Sequence, residues 1–127
     1  YLAMCDIFVM TSLAETFGMS TVEAMSVGLP IMGIDAAGTS DLVEEGKTGF
    51  LSSEDLAAFT AKLTYLCLHP NLRKEMGLAA CEASTQYDIE RTTDILLKHY
   101  IRLTQNTRPL KKSLDERLMS VLEEFMK

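Results

Sequence analysis

Two glutamates on either side of a glycine are the residues of this sequence best suited to bind a ligand. They are Glu15 and Glu23, with Gly18 between them. A helix predicted from about Met19 to Val27 begins just after the glycine, so its first N–H groups point into the space beside it. Such N–H groups bind phosphate, whereas carboxylates repel phosphate and accept hydrogen bonds from neutral hydroxyls. The pattern therefore predicts a ligand that carries both phosphate and sugar hydroxyls, as a nucleotide-sugar does.

Each glutamate also has a purely structural explanation. The stretch Ser12-Leu-Ala-Glu15 matches a capping box, in which the acid would close the start of a helix. Glu23 lies early in the predicted helix, where the helix dipole stabilises a negative charge. Both explanations stay open from the sequence alone, although the presence of two acids around one glycine favours the ligand.

The elements around this stretch predict one β-α-β unit. The apolar run Asp6-Ile-Phe-Val-Met10 indicates a strand buried on both faces. Thr11 and Ser12 would then lie at the carboxyl end of this strand, where open α/β sheets bind ligands. Gly28-Leu-Pro30 ends the helix, and Ile31-Met-Gly-Ile34 predicts a second strand, parallel to the first through a right-handed crossover.

The residues after the second strand predict a loop and a third strand. Residues 35–41 form a turn at the same edge of the sheet as Glu15, and Thr39 or Ser40 is expected to cap a short helix through Val43. Residues 45–51 predict a turn and a short strand.

The rest of the chain is predicted to be helical. Ser52 or Ser53 is expected to cap a helix over residues 54–69 that covers the sheet. Its apolar stripe consists of Leu56, Phe59, Leu63 and Leu66. Pro70 suits the first turn of the next helix, through about Gln86, and a further helix is expected over residues 88–104.

The C-terminal residues predict a linker and a last amphipathic helix. Arg108-Pro-Leu-Lys-Lys112 interrupts the helical pattern, and Ser113-Leu-Asp-Glu116 forms a capping box. The apolar stripe that follows consists of Leu114, Leu118, Val121, Leu122 and Phe125. This helix contains more acids than bases, which weakens its attraction to an anionic membrane despite the preceding lysines.

Composition and charge exclude several classes of protein. A chain of 127 residues has room for one hydrophobic core. The net charge of −6 argues against a nucleic-acid-binding protein, which normally has a basic face. The three cysteines lack the spacing of a metal site and suit reduced thiols in the cytosol. No signal peptide or membrane-spanning run is present, so we expect a cytoplasmic protein, with peripheral contact to the cytoplasmic face of a membrane left open.

Several motifs occur together in an order that resembles a known family. They are Cys5-Asp-Ile-Phe-Val-Met-Thr-Ser12, the run ETFGMSTVEAMSVGLPI with two acids separated by seven residues, the Asp35-x-x-Gly38 turn and the GKTGFL strand. From Tyr1 to about Leu103 the chain resembles the second half of the C-terminal, donor-binding domain of retaining glycosyltransferases with two Rossmann domains (GT-B architecture). The resemblance implies an α/β fold: part of a Rossmann-like domain, with a short parallel sheet of about three strands covered by helices and several consecutive helices at the end. Together with the predicted linker, it divides the chain into residues 1–107, the second half of the donor-binding domain, and residues 108–127, the linker and the C-terminal amphipathic helix.

The resemblance also implies a role for each residue of the motif. Glu15 would bind hydroxyls of the donor sugar, and Glu23 would bind the ribose hydroxyls. Backbone groups of Phe17, Gly18 and Met19 would line the sugar and phosphate, and N–H groups around Thr21 and Val22 would lie near the diphosphate. The donor would be a UDP-sugar or a GDP-sugar, and no catalytic nucleophile, metal or cofactor is assigned in this chain. The family commonly has two glycines where this chain has Ala37 and Gly38, which leaves the shape of that loop open.

The expected activity of the parent enzyme is transfer of a sugar from a nucleotide diphosphate sugar to an acceptor with retention of configuration, in glycan or glycolipid biosynthesis. The chain would be a fragment without the N-terminal acceptor domain and without the basic pair that holds the diphosphate, and we expect it to be inactive alone. In the family, C-terminal helices often cross back toward the N-terminal domain. Two alternatives stay open: a non-catalytic binding or assembly module, and a sugar-nucleotide epimerase of the same architecture.

Overall fold

The computed structural model describes residues 1–106 and 114–125. The strands are β1 (Phe8–Met10), β2 (Ile31–Ile34) and β3 (Gly49–Ser52). The α-helices are α1 (Met19–Ser26), α2 (Leu56–Leu68), α3 (Pro70–Ser84), α4 (Ile89–Asn106) and α5 (Leu114–Phe125), with short 3₁₀ turns at Leu2–Met4 and Thr85–Tyr87. Two compact units, Tyr1–Ile89 and Glu90–Lys127, make up the chain. The predicted boundary between residues 107 and 108 lies outside the described residues.

The three strands form one parallel sheet in the order β1-β2-β3, which confirms the predicted fold class. Phe8 pairs with Ile31, and Ile31 pairs with Gly49. Because the strands are parallel, the residues that follow Met10, Ile34 and Ser52 all leave the sheet at one edge. This carboxyl edge is where ligands bind in sheets of this kind.

The prediction that the first strand is buried on both faces was wrong. Val9 is 43% exposed, and only Met10 of β1 is buried. The physical reason is position, because β1 has a neighbouring strand on one side only among the described residues. β2 lies between two strands, and its first three residues are fully buried, as the apolar pattern predicted.

Helices cover both faces of the sheet. Successive side chains of a strand point to opposite faces, so Ile31 and Met32 belong to different cores. The first core lies under α1 and α3 and consists of Val22, Ala24, Met25, Leu29, Ile31, Leu42, Val43 and Ala80. The second core lies under α2 and α3 and consists of Met32, Leu66 and Met76, with Phe50, Phe59 and Leu63 packed against it.

Close contact between two backbones fixes α1 against α3. A Cβ atom on Gly77 would overlap with the carbonyl group of Gly28. Gly28 has a φ of 80° and follows the last turn of α1, which confirms that Gly28-Leu-Pro30 ends this helix. The glycine that stops α1 therefore also lets α3 approach it.

The start of α2 differs from the prediction. Ser52 is the last residue of β3, where it pairs with Ile34, so it does not cap the helix. Asp55 is the N-cap instead, and its carboxylate accepts a hydrogen bond of 2.7 Å from the N–H of Ala58. Leu56 is 82% exposed, so it was wrongly assigned to the apolar stripe. The next helix, α3, begins at Pro70 as predicted.

The short helix expected after β2 is absent from the described structure. Residues 35–43 instead form successive turns, in which Thr39 donates to the carbonyl of Ala36 and Val43 donates to the carbonyl of Thr39. Thr39 is buried, and its methyl group packs over Gly33. Its side chain thus fills the space above β2 rather than capping a helix.

The second unit contains α4 and α5. Every α4 side chain from Ile89 to Gln105 is exposed, and α4 ends at Asn106, close to the predicted residue 104. The predicted linker at residues 108–112 and the capping residue Ser113 lie outside the described residues. Among the described helices, none has the length and apolar character needed to cross a bilayer.

Candidate functional site

Gly18 shapes the start of α1. It has φ 72° and ψ 46°, a left-handed conformation that residues with a Cβ rarely adopt. A Cβ atom there would also lie 3.1 Å from Cδ1 of Leu42. Gly18 is the N-cap residue, and no side chain caps the helix. The first turn of α1 is therefore left open toward the carboxyl edge of the sheet.

The open turn leaves two backbone N–H groups for a ligand. Thr21 and Val22 both donate to the carbonyl of Gly18, at 2.9 and 3.2 Å. The N–H groups of Met19 and Ser20 have no backbone acceptor within the described part of the chain, and both residues are exposed. Free N–H groups at a helix N-terminus form a natural anion site. Ser20 was missed in the sequence analysis, although a helix start at Met19 already places it in the unbonded first turn.

Thr21 and Val22 are buried in the first turn. The hydroxyl of Thr21 has no hydrogen-bond partner among the described residues and lies 3.7 Å from the Cβ position of Gly18. Their N–H groups already donate inside the helix, so contact between these N–H groups and a diphosphate stays a prediction.

The loop after β2 holds Glu15 in place. The N–H of Glu15 donates to the carbonyl of Ala37 at 3.2 Å. Gly38 has a φ of 87°, and a Cβ atom on it would overlap with the carbonyl group of Glu15. Gly38 is thus the position of this loop that requires glycine, whereas Ala37 is exposed and accommodates its methyl group. This hydrogen bond and the packing of Gly38 therefore connect the loop after β1 to the loop after β2, beside the open turn of α1.

The capping-box explanation for Glu15 was wrong. Residues 12–15 form no helix, and the Ser12 hydroxyl donates to the carbonyl of Ala14 at 3.2 Å. Glu15 is half-buried, and its carboxylate makes no ion pair or hydrogen bond with the described residues. This carboxylate is therefore available to a ligand.

Glu23 is the fifth residue of α1 and is exposed. No acid lies in the first turn of this helix, and the helix dipole acts mainly within that turn. The dipole thus gives little reason for an acid at this position. Like Glu15, Glu23 has no charged partner in the described ranges.

Phe17 connects the site to the end of α3. Its ring is 45% exposed and packs edge to face on Tyr87, with ring centroids 5.5 Å apart. Tyr87 also packs against the core under α1. The sequence analysis did not identify Tyr87, because no local pattern shows that residues seventy positions apart meet.

A second space at the carboxyl edge is less suited to an anion. It has a volume of about 400 Å³ and lies beside the start of α2, lined by Thr11, Leu13, Ile34, Ser53, Glu54, Asp55, Leu56 and Phe59. Here the helix N-terminus is already closed by the carboxylate of Asp55. Glu54 adds a second negative charge. Of the two helix starts at this edge, α1 therefore provides the open one.

Basic side chains in residues 1–89 are largely engaged elsewhere. Lys47 pairs with Glu44 at 2.8 Å, and this hydrogen bond raises the pKa of Lys47. Lys62 pairs with Glu45 at 2.6 Å. Arg73 donates hydrogen bonds of 2.7 Å to the carbonyls of Leu66 and Cys67 at the end of α2. No group of side chains in the described residues could hold a metal ion.

Comparison with known proteins places this site in context. Residues 1–82 match the family model described as "Glycosyl transferases group 1". The sulfoquinovosyl transferase SQD2 of Arabidopsis thaliana is 40% identical over 92 residues, which cover 69% of this chain and 18% of that protein. A trehalose synthase of Pyrococcus horikoshii is 36% identical over 96 residues, covering 72% of this chain and 23% of that protein.

Solved structures show the same fold. The structure of HepE from Anabaena in complex with UDP and glucose superposes with a TM-score of 0.72 at 30% identity, covering 80% of this chain and 29% of HepE. The structure of TarM from S. aureus in a complex that contains UDP superposes with a TM-score of 0.65 at 26% identity, covering 80% of this chain and 20% of TarM. The chain therefore spans less than a third of the length of these relatives.

Proposed function

Because the chain belongs to the group 1 glycosyl transferases, we propose that its α1 site binds a nucleotide diphosphate sugar and that the whole protein transfers the sugar to an acceptor. The main support is the open first turn of α1, where the N–H groups of Met19 and Ser20 face no backbone acceptor of the described chain. These N–H groups suit the diphosphate. UDP and glucose in the HepE complex support the same class of donor.

The two carboxylates bind the neutral parts of the donor in this proposal. Glu15 accepts hydrogen bonds from hydroxyls of the transferred sugar, and Glu23 accepts them from the ribose. Backbone groups of Phe17, Gly18 and Met19 line the path between sugar and phosphate. Gly18 has no Cβ, so the ligand approaches the backbone closely.

Catalysis in this site consists of positioning and charge stabilisation. When the bond between sugar and diphosphate breaks, negative charge grows on the leaving diphosphate. The N–H groups at the start of α1 already point at this charge and need no reorganisation. Lys47, Lys62 and Arg73 are engaged elsewhere, so none of these three side chains is assigned to the diphosphate in this proposal.

Retention of configuration, a cytoplasmic location and a glycan or glycolipid product are further parts of the proposal. UDP is the favoured nucleotide because the HepE and TarM complexes contain it, with GDP as the alternative. We also expect that the protein does not bind nucleic acid, because its net charge is −6.

The test is product analysis with the whole protein. A UDP-sugar and a GDP-sugar of α configuration are supplied with candidate acceptors, and the anomeric proton of the product is followed by NMR. An α-linked product supports transfer with retention. A β-linked product supports transfer but contradicts retention of configuration. A change of the sugar within an intact nucleotide-sugar would identify an epimerase. Donor binding without any reaction would identify a binding module.

A further inference from the structure

The backbone between Glu15 and Gly18 carries the sugar end of the proposed site, yet few hydrogen bonds hold it. Residues 11–18 form no helix or strand. The N–H of Glu15 donates to the carbonyl of Ala37 at 3.2 Å. The next two residues, Thr16 and Phe17, make no backbone hydrogen bond with the described part of the chain. This short stretch therefore depends on side-chain packing for its position.

Tyr87 supplies such packing. The rings of Phe17 and Tyr87 meet edge to face, with centroids 5.5 Å apart and an angle of 84° between the ring planes. Aromatic pairs favour this arrangement, because the positive edge of one ring faces the negative face of the other. The contact joins the residue just before Gly18 to the end of α3.

Tyr87 is itself held firmly. It ends the 3₁₀ turn Thr85–Tyr87, which continues α3. Its side chain packs against the core under α1. α3 also touches α1 through the close contact of Gly77 with Gly28. The position of Tyr87 is thus set by the core and by α3, and the ring provides a fixed support for Phe17.

The ring of Tyr87, and not its hydroxyl, makes these contacts. The hydroxyl has no hydrogen-bond partner among the residues that the structure describes. Packing against Phe17 and against the core needs only the aromatic ring. A phenylalanine at this position would therefore make the same contacts.

We propose that Tyr87 is a positioning residue of the donor site. Its ring holds Phe17 and thereby sets the path of the backbone from Glu15 to Gly18. This inference rests on the proposed function, which assigns the sugar end of the donor to this backbone. It uses contacts inside residues 1–89 and so does not depend on the second unit of the chain.

The two ends of the donor should depend on Tyr87 to different degrees. The N–H groups proposed for the diphosphate belong to Met19 and Ser20, which are part of α1. Val22 and Met25 fix this helix in the core. Loss of the Tyr87 ring should therefore displace the sugar contacts more than the diphosphate contacts. A general loss of stability would weaken both.

Kinetics of the whole protein test this difference. Tyr87→Leu keeps an apolar side chain but removes the ring. It should slow transfer by roughly 10- to 100-fold, since a displacement of about 1 Å at a reacting centre has effects of this size. Calorimetry should show unchanged affinity for free UDP. Tyr87→Phe should transfer at the unmodified rate, and equal losses in both variants would overturn the proposal.

Phe8→Leu is the matched control. Phe8 is a half-buried aromatic residue that packs against the same core as Tyr87. It forms no ring pair with Phe17 in the described structure. Urea denaturation compares the stability of the two leucine variants. Transfer that slows equally in Phe8→Leu and Tyr87→Leu would show that lost stability is the cause, which contradicts positioning.

Phe17→Leu tests the contact from its other side and applies even if Tyr87→Leu does not fold. Phe17 is 45% exposed, so this change disturbs the core less. Phe17→Leu should slow transfer about as much as Tyr87→Leu, and the double variant should slow it no further. Losses that multiply in the double variant would show that the two rings act independently, which overturns the proposal.

Hydrogen exchange provides a test that needs no donor. The N–H of Glu15 donates to Ala37, and the N–H of Thr21 donates to Gly18, so both amides report how firmly this backbone is held. Their exchange by local opening should be roughly 2- to 13-fold faster in Tyr87→Leu, from the usual strength of an aromatic pair. Exchange no faster than in Phe8→Leu would overturn the positioning role. Faster exchange in a protein that transfers no sugar would support that role and contradict the proposed function.

Discussion

Gly38 is packed directly against the backbone carbonyl of Glu15, so that the loops after two neighbouring strands touch without a side chain between them. The N–H of Glu15 also donates to the carbonyl of Ala37. The position of Glu15 is thus set by the loop after β2 as well as by its own strand. A change in one loop must therefore alter the other.

Replacing Gly38 with alanine should displace Glu15 and weaken donor binding. The Cβ atom would overlap with the Glu15 carbonyl, and the φ of 87° adds strain. We expect the free energy of unfolding to fall by about 1–3 kcal/mol and donor affinity to fall by roughly tenfold or more, measured by urea denaturation and by calorimetry with the donor.

The control is Gly46→Ala, because Gly46 has a similar φ of 77° but no atom within 4 Å of its Cβ position. It should lose stability only. Unchanged donor affinity in Gly38→Ala would show that the contact does not position the site.

The two carboxylates should respond differently to substitution by glutamine. In the whole protein, Glu23→Gln should weaken the binding of free UDP, because we propose that Glu23 contacts the ribose. Glu15→Gln should leave UDP affinity unchanged and slow transfer, because we propose that Glu15 contacts the transferred sugar. Glutamine keeps an acceptor oxygen but loses the negative charge, so each substitution should cost the difference between a charged and a neutral hydrogen bond, about 1–1.5 kcal/mol or roughly 5- to 13-fold. Calorimetry with UDP and steady-state transfer rates separate the two effects. The control Glu75→Gln changes an exposed acid of α3 and should alter neither.

Local signals in the sequence account for most of the fold that was predicted. Gly28 and Pro30 end α1, Pro70 begins α3, and the apolar run at β2 is buried as expected. The errors have non-local causes. Ser52 is drawn into β3 by its pairing with Ile34, and no local rule foresees that pairing.

The candidate site shows the same division between local and non-local causes. The glutamates and Gly18 stand out in the sequence because their spacing is local. Gly38 packs against the backbone of Glu15, and Tyr87 packs against Phe17. Both contacts join residues that are distant along the chain. They become visible only when the strands are paired and α3 is packed.

The corrected start of α2 predicts which acid supports this helix. Asp55→Ala removes the carboxylate that accepts from the N–H of Ala58, so the free energy of unfolding should fall by about 1 kcal/mol. Glu54 is the neighbouring exposed acid and is not the N-cap, so Glu54→Ala should change stability by less than about 0.5 kcal/mol. Urea denaturation followed by circular dichroism will measure both changes. Equal losses would show that the charge near the helix start matters rather than the cap.

The burial of α2 gives a further prediction about the core. Leu66 is fully buried against Met32 and Met76, whereas Leu56 is 82% exposed although both were expected on one apolar stripe. Leu66→Ala should lower the free energy of unfolding by about 2–5 kcal/mol, because it removes buried methyl groups and leaves a cavity between α2 and the sheet. Leu56→Ala makes the same chemical change at the exposed end of the helix and should cost less than about 0.5 kcal/mol. Urea denaturation of the two variants measures this difference directly. A similar cost at both positions would mean that Leu56 is covered in solution, and that the space beside the start of α2 is closed by packing.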